Sequence, residues 1–154
     1  MNELPPMSLR GYRAAHVLLI DDNPQDRELV AHHLKDLSSG LRITQVSSPP
    51  ELDEALDRND FDLAVTDYYL RWSTGLDVLR RIKNLDTRLP VIMFTASGSE
   101  EIAVEAMKKG LDEYITKTAK HYPRIPLAVA GLLERARQRA ELDRQTKLVE
   151  EMRQ

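Results

Sequence analysis

Five short apolar runs, each separated from the next by a segment with helical spacing, constrain this chain more than any other feature in it. The runs are His16-Val-Leu-Leu-Ile20, Leu41-Arg-Ile-Thr-Gln-Val46, Leu63-Ala-Val-Thr66, Val91-Ile-Met-Phe94 and Tyr114-Ile-Thr116. The first, third and fourth are nearly continuous and rich in Val, Leu and Ile, which suits strands buried on both faces rather than half-wet hairpin strands. A run begins roughly every two dozen residues, which leaves room for the dozen or more crossover residues that parallel pairing requires. Right-handed crossovers then place helices on both faces, so the expected fold is α/β, a doubly wound five-stranded parallel sheet.

The intervening segments carry helix punctuation. Asn23-Pro24-Gln25-Asp26 reads as an N-cap, a proline at the first helical position and an acid at the third. Leu29, Val30, Leu34 and Leu37 mark the expected inner face of that helix, and Ser38-Ser39-Gly40 stops it. Ser48-Pro49-Pro50-Glu51 starts a second helix with Leu52, Ala55 and Leu56 inward, and a third follows Gly75 with Leu76, Leu79 and Ile82 aligned. Ser97-Gly98-Ser99-Glu100 opens a fourth, carrying Ile102, Ala103, Ala106 and Met107 up to Gly110. The fifth begins around Tyr122-Pro123, with Pro126 tolerable in its first turn. It then runs on without a breaker from Gly131 to Gln154, dominated by Glu, Arg, Gln and Lys. Leu142 and Val149 lie one heptad apart, far short of a sustained seam. Two readings of this extension stay open: a solvated helix end, or a dimer-forming or domain-connecting helix.

Composition narrows the function. The 154 residues are 42% hydrophobic and 31% charged with net charge −3, so no basic field exists to hold nucleic acid or an anionic membrane. Zero cysteines exclude disulfides and thiolate metal sites. The Met1-to-Ala15 segment is polar, with Pro5 and Pro6 and no apolar h-region, and no apolar run approaches the ~20 residues of a membrane span. A cytoplasmic protein without direct membrane or nucleic-acid contact is the expectation.

In an open parallel sheet, functional groups gather just past the carboxyl ends of the strands. There the sequence places Asp21 and Asp22 after the first run, Asp67 after the third, Thr95 after the fourth and Lys117 after the fifth. Converging carboxylates either share protons or hold a cation. Oxygen-only ligands favour a hard ion, Mg²⁺ above all where water fills the open positions. Asp67 is then the expected nucleophile toward a phosphoryl group, with Lys117 pairing with one phosphoryl oxygen and Thr95 donating a hydrogen bond to another.

Leu18-Leu-Ile-Asp21-Asp22-Asn23, Asp67 with Gly75 eight residues on, Phe94-Thr95-Ala96 and Tyr114-Ile-Thr-Lys117 together resemble the receiver domain of two-component response regulators, over roughly Val17 to Ala136. The resemblance implies a flavodoxin-like receiver fold over 16–137, preceded by an arm over 1–15 and followed by a helical extension or connector over 138–154. It implies that Asp67 is the phosphoacceptor, that Asp22 binds Mg²⁺ directly with Asp21 helping through water, and that the backbone carbonyl of Tyr69 completes the protein ligands. Thr95, Ala96 and Lys117 would bind the phosphoryl group, and Tyr114 would be the aromatic that turns inward when Thr95 is drawn away. The implied partner is a histidine kinase or histidine phosphotransfer protein. The implied dimer contacts are the C-terminal helix or the face of the fourth helix, fifth strand and fifth helix.

Three positions depart from the family pattern. Thr118 follows the lysine where proline is usual, often through a cis bond. Arg71 replaces a common proline and is expected to loosen the loop after the acceptor. Tyr69 is bulky where it tunes water access, and slow loss of the phosphoryl group is expected. Two other classes stand beside this reading: an Mg²⁺-dependent phosphohydrolase working through an aspartyl phosphate, whose second acid two residues on is missing, and a phosphorylation-independent scaffold.

Overall fold

Successive side chains of a strand point to opposite faces of a sheet, and in the three central strands of this chain both sets are buried. The computed structural model describes residues 15–37 and 40–153. Five parallel strands, β1 (His16–Ile20), β2 (Arg42–Val46), β3 (Leu63–Thr66), β6 (Val91–Thr95) and β7 (Glu113–Thr116), form one sheet in the order β2-β1-β3-β6-β7. The two short strands between β3 and β6, β4 (Tyr69–Leu70) and β5 (Ser73–Thr74), make a separate hairpin at its edge. Register runs from Val17 opposite Leu63 in the β1–β3 pair to Ile92 opposite Glu113 in the β6–β7 pair. Val17, Leu19, Leu63, Val65, Ile92 and Phe94 pack on one face against α1 (Pro24–Lys35) and α5 (Arg124–Met152). Leu18, Ile20, Ala64, Val91 and Met93 pack on the other against α2 (Pro49–Arg58), α3 (Gly75–Leu85) and α4 (Glu100–Lys108). The core is therefore two apolar layers with the sheet between them, as the near-continuous runs require.

The helix starts follow from their caps. The Asn23 side chain accepts from the Gln25 and Asp26 amides, the Ser48 hydroxyl from Glu51, the Thr74 hydroxyl from Asp77 and the Ser99 hydroxyl from Ile102. Each satisfies a first-turn N–H that has no partner within the helix. The inner faces differ from the sequence reading in three helices; in α3 it is Val78 that joins Leu79 and Ile82 in the core, with Leu76 only partly buried. In α1 it is Ala31, not Leu29, that joins Val30 and Leu34 in the core, and Leu29 remains 42% exposed. In α4 only Ala106 is fully buried, and Met107 is half exposed. The buried stripe of α1 is turned from Leu29 toward Ala31, and that of α4 is narrower than simple i, i+3, i+4 counting assigns. The first helix ends at Lys35 with Asp36 as its cap, ahead of Gly40. Ser38 and Ser39 lie outside the described residues, as do residues 1–14 of the expected N-terminal arm.

α5 continues unbroken for 29 residues. Ile125, Val129, Leu132 and Leu133 are buried, while from Leu142 to Met152 every residue is exposed. Arg88 of the α3–β6 connection pairs with Asp143 on this outer part. No peptide bond among the described residues is cis, so the Lys117–Thr118 bond is trans. No helix among them is long and apolar enough to cross a membrane.

Candidate functional site at the carboxyl edge of the sheet

The chain runs outward from β1 to β2 and then returns across β1 to β3, so the crevice beyond the carboxyl ends of β1 and β3 is the topological switch point. Backbone hydrogen bonds extend past the strands and fix the residues beyond their ends. The Asp21 amide donates to the Val46 carbonyl at 3.1 Å, that of Asp67 to Ile20 at 3.0 Å and that of Lys117 to Thr95 at 2.9 Å. Residues far apart in sequence are thus set side by side on ladder geometry.

Lys117 is the hub. Its Nζ donates to Asp21 Oδ2 at 2.7 Å, Asp67 Oδ2 at 2.8 Å and Asp26 Oδ2 at 3.0 Å. The lysine, Asp21 and Asp67 side chains are all largely shielded from solvent. Burial alone would depress the lysine pKa, but the hydrogen bonds and charges of Asp21 and Asp67 outweigh it and hold the ammonium above the ordinary lysine range. Burial raises the Asp21 carboxyl, against the opposing pull of Lys117 and the Asn23 amide. Phe94 lies under the ammonium, its ring centre 5.8 Å from Nζ, and meets Tyr122 edge-on at 4.9 Å. Asp26, which sequence reasoning assigned only to the helix start, is the third acid on the lysine and also accepts from the Tyr122 hydroxyl at 3.4 Å. The signal was available: Asp26 lies in the first turn of α1, whose N-terminus opens onto the same edge as Asp21.

The loop after Asp67 is tighter than expected. β4 and β5 pair antiparallel around Arg71 and Trp72. Arg71 does not loosen this loop, because its backbone N–H donates to Asp22 Oδ2, which a proline could not do. The Trp72 indole N–H donates to Asp22 Oδ1 at 2.8 Å. The hairpin then turns straight into α3. The Gly75 amide donates to the Tyr68 carbonyl at 2.6 Å. A Cβ on Gly75 would lie 2.5 Å from the Asp67 carbonyl oxygen and 2.9 Å from the Tyr68 Cα, so only glycine fits there.

Thr95 is buried at the end of β6, its hydroxyl oxygen 3.2 Å from the Ser97 amide that donates to it. Ala96 follows, exposed at the rim. Tyr114 is half-buried, with its hydroxyl lying over Gly98, where a Cβ would overlap it. Burial, then the negative charge of Asp67, raises the Tyr114 pKa. Tyr69 is 65% exposed at the mouth of the site.

The donor set has the chemistry of a hard divalent cation: carboxylate and carbonyl oxygens, with no imidazole or thiolate. Asp21, Asp22, Asp67 and the Tyr69 carbonyl would hold such an ion. Their placement is less convergent than the sequence implies, since among the described residues no three acidic or histidine side chains stand grouped to hold a metal. The cause is visible. Lys117 draws Asp21 and Asp67 together, while Trp72 and Arg71 draw Asp22 toward the hairpin. The remaining oxygens are engaged too, Asp21 Oδ1 by the Asn23 amide at 2.9 Å and Asp67 Oδ1 by the Tyr68 amide at 2.7 Å. Each oxygen keeps a second lone pair.

This edge of the sheet is where comparison with known proteins becomes informative. The family pattern for the response regulator receiver domain matches residues 17–124. The chain belongs to that family. The receiver is 36% identical over 100 residues to the response regulator protein PilR of Pseudomonas aeruginosa, an alignment covering 65% of this chain and 22% of PilR. It is 33% identical over 103 residues to the transcriptional regulatory protein PhoP of Escherichia coli, covering 66% of this chain and 44% of PhoP. The receiver therefore spans less than half the length of these curated relatives. Among solved structures, it matches the signal receiver domain of a LuxO repressor protein from Vibrio parahaemolyticus with a TM-score of 0.75 at 28% identity, covering 84% of this chain and 97% of that one. NtrX from Brucella abortus matches with a TM-score of 0.76 at 30% identity, over 87% of this chain and 30% of that one. The doubly wound five-stranded sheet read from the sequence is thus the fold of the family.

Proposed function

We propose that this receiver is a phosphorylation-operated switch in which Asp67 takes a phosphoryl group from the phosphohistidine of a histidine kinase or phosphotransfer protein. The observation that carries this reading is Lys117, whose buried ammonium joins Asp67 to Asp21 across 50 and 96 residues of sequence. A buried lysine between two acids is a charge reservoir: it neutralises them at rest and is in place for a phosphoryl oxygen when Asp67 becomes an acyl phosphate. In the transfer, an Asp67 carboxylate oxygen forms the bond to phosphorus, the phosphorus–nitrogen bond breaks, and the imidazole leaves with a proton. Thr95 and the Ala96 amide stand at the end of β6 to donate to the other phosphoryl oxygens. Mg²⁺, when held by Asp21, Asp22, Asp67 and the Tyr69 carbonyl, supplies the positive charge that lets two anions approach.

Phosphorylation would add a charge of about −1.5 to −2 beside Lys117 and Thr95. Drawing Thr95 toward it would alter the space filled by Tyr114, and with it the surface of α4, β7 and α5. Val104 and Met107 of α4 and Leu127 of α5 stay exposed there, which suits a surface that exchanges protein partners or pairs with a second copy. The outer part of α5 is the other candidate dimer contact. The reading places the protein in the cytoplasm as a stoichiometric acceptor rather than an enzyme, with the bulky Tyr69 slowing loss of the phosphoryl group.

Labelling with acetyl phosphate or beryllofluoride tests this. One label per chain, dependent on Mg²⁺ and abolished by Asp67→Asn, is expected. Many phosphates released per chain from a small ester would make the protein a phosphohydrolase instead. Equal labelling of the Asp67→Asn variant would remove Asp67 from the role.

A further inference from the structure

The chain holds one tryptophan, and its indole N–H is shared between the Asp22 carboxylate at 2.8 Å and the Ser47 carbonyl at 3.0 Å. The ring packs on the apolar layer under α2 and α3, so its position is set by the core. From the turn residue just before it, the Arg71 backbone N–H takes the other Asp22 oxygen. We propose that Trp72 and the Arg71 amide form a latch on Asp22, which a divalent cation opens when it enters the site.

The inference rests on the reading of the site as a Mg²⁺-assisted phosphoacceptor and concerns how that site is loaded. Three observations carry it. Both Asp22 oxygens are committed to the hairpin through charge-assisted hydrogen bonds, which are about twice as strong as neutral ones. Among the described residues no three acids group to hold an ion, and the latch has Asp22 turn from the hairpin to join Asp21 and Asp67 when the ion enters. The Ser47 carbonyl gives the indole N–H a second acceptor already in place, so releasing the carboxylate leaves no buried donor unpaired. Trp72 is therefore a positioning residue. It acts through Asp22 and makes the β4–β5 hairpin, which carries the Tyr69 carbonyl, responsive to metal occupancy. The device exists because residue 71 is not proline, since proline has no N–H to give.

The test is titration of the full chain with Mg²⁺ alone, without phosphodonor. Calorimetry gives the affinity of the wild type and of Trp72→Phe, which keeps an aromatic ring but lacks the donor. The indole N–H signal of the wild type, single because the tryptophan is single, reports the latch directly by nuclear magnetic resonance. Trp72→Phe is expected to bind Mg²⁺ about tenfold more tightly, the scale of one hydrogen bond to a charged group. The wild-type indole proton is expected to move upfield and saturate with the same affinity that calorimetry reads. Unchanged or weaker affinity in Trp72→Phe overturns the latch and leaves the phosphoacceptor reading standing. Should that variant fail to fold, the wild-type indole signal decides: an immobile signal at saturating Mg²⁺ overturns the latch. No binding by the wild type at millimolar Mg²⁺ overturns both the latch and the metal reading.

Discussion

The two ends of this molecule are stabilised by opposite means. At the carboxyl edge of the sheet, Lys117, Asp21, Asp26 and Asp67 meet over long sequence separations, and the lysine is buried among them. At the far end of α5, the pairing is local and wet, Arg144 with Glu141 three residues away. Removing charged groups from water is costly unless each is paired, so loss of the lysine is expected to be costly at the edge. Exposed pairs contribute little, and the helix end should tolerate nearly any substitution.

The largest expected effect comes from Lys117→Met, which leaves Asp21 and Asp67 facing each other without a cation. We expect a loss of about 3–5 kcal/mol in urea unfolding at pH 7, as for other broken buried pairs. The deficit should shrink as pH falls, because the Asp21 carboxyl, raised by burial, then takes up a proton. A loss under about 1 kcal/mol would show the edge to be as solvated as the helix end. Leu132→Ala, in the buried first half of α5, should cost about 2–3 kcal/mol through a cavity beneath the helix. It sharpens the comparison by testing whether α5 is itself divided into a structural and a solvated half.

A pH series should separate the ends again. The Lys117, Tyr114 and Tyr122 protons are all held more tightly in the folded chain than their ordinary values of 10.5, 10.0 and 10.0. As pH climbs past about 10 the unfolded chain releases protons first, so stability falls. That decline should be shallower in Lys117→Met, where only the two tyrosines remain to drive it. Truncation after Ala140 should have the smallest effect, under about 1 kcal/mol, since it removes mostly solvated helix and the exposed Arg88–Asp143 pair. A larger loss in a thermal melt would mean that the extension buries surface against another copy.

The same contrast explains how much the sequence disclosed. Apolar runs and helix caps are local signals, and every strand of the five-stranded sheet, Asn23, Ser48 and Ser99 could be read from them. The edge residues Asp21, Asp67, Thr95 and Lys117 were legible because strand ends in a parallel sheet must converge, whatever the intervening chain does. Asp26 on Lys117 was missed because a helix-start acid has a sufficient local explanation. The pairing of Trp72 with Asp22 spans 50 residues and depends on the β4–β5 hairpin, for which two-residue strands leave no periodicity to count. The outward turn of Leu29 depends on how α1 lies on its neighbours, which spacing alone does not specify.

Gly75 carries no functional group, yet it fixes where the Asp67 backbone sits. With backbone pressed against backbone at that point, the Asp67 carbonyl and the first turn of α3 behave as one piece. A library randomised at residue 75 and selected only for labelling of Asp67 should return glycine almost alone. Such a result would mark a vacancy of side chain, rather than any functional group, as one of the strictest requirements for the chemistry.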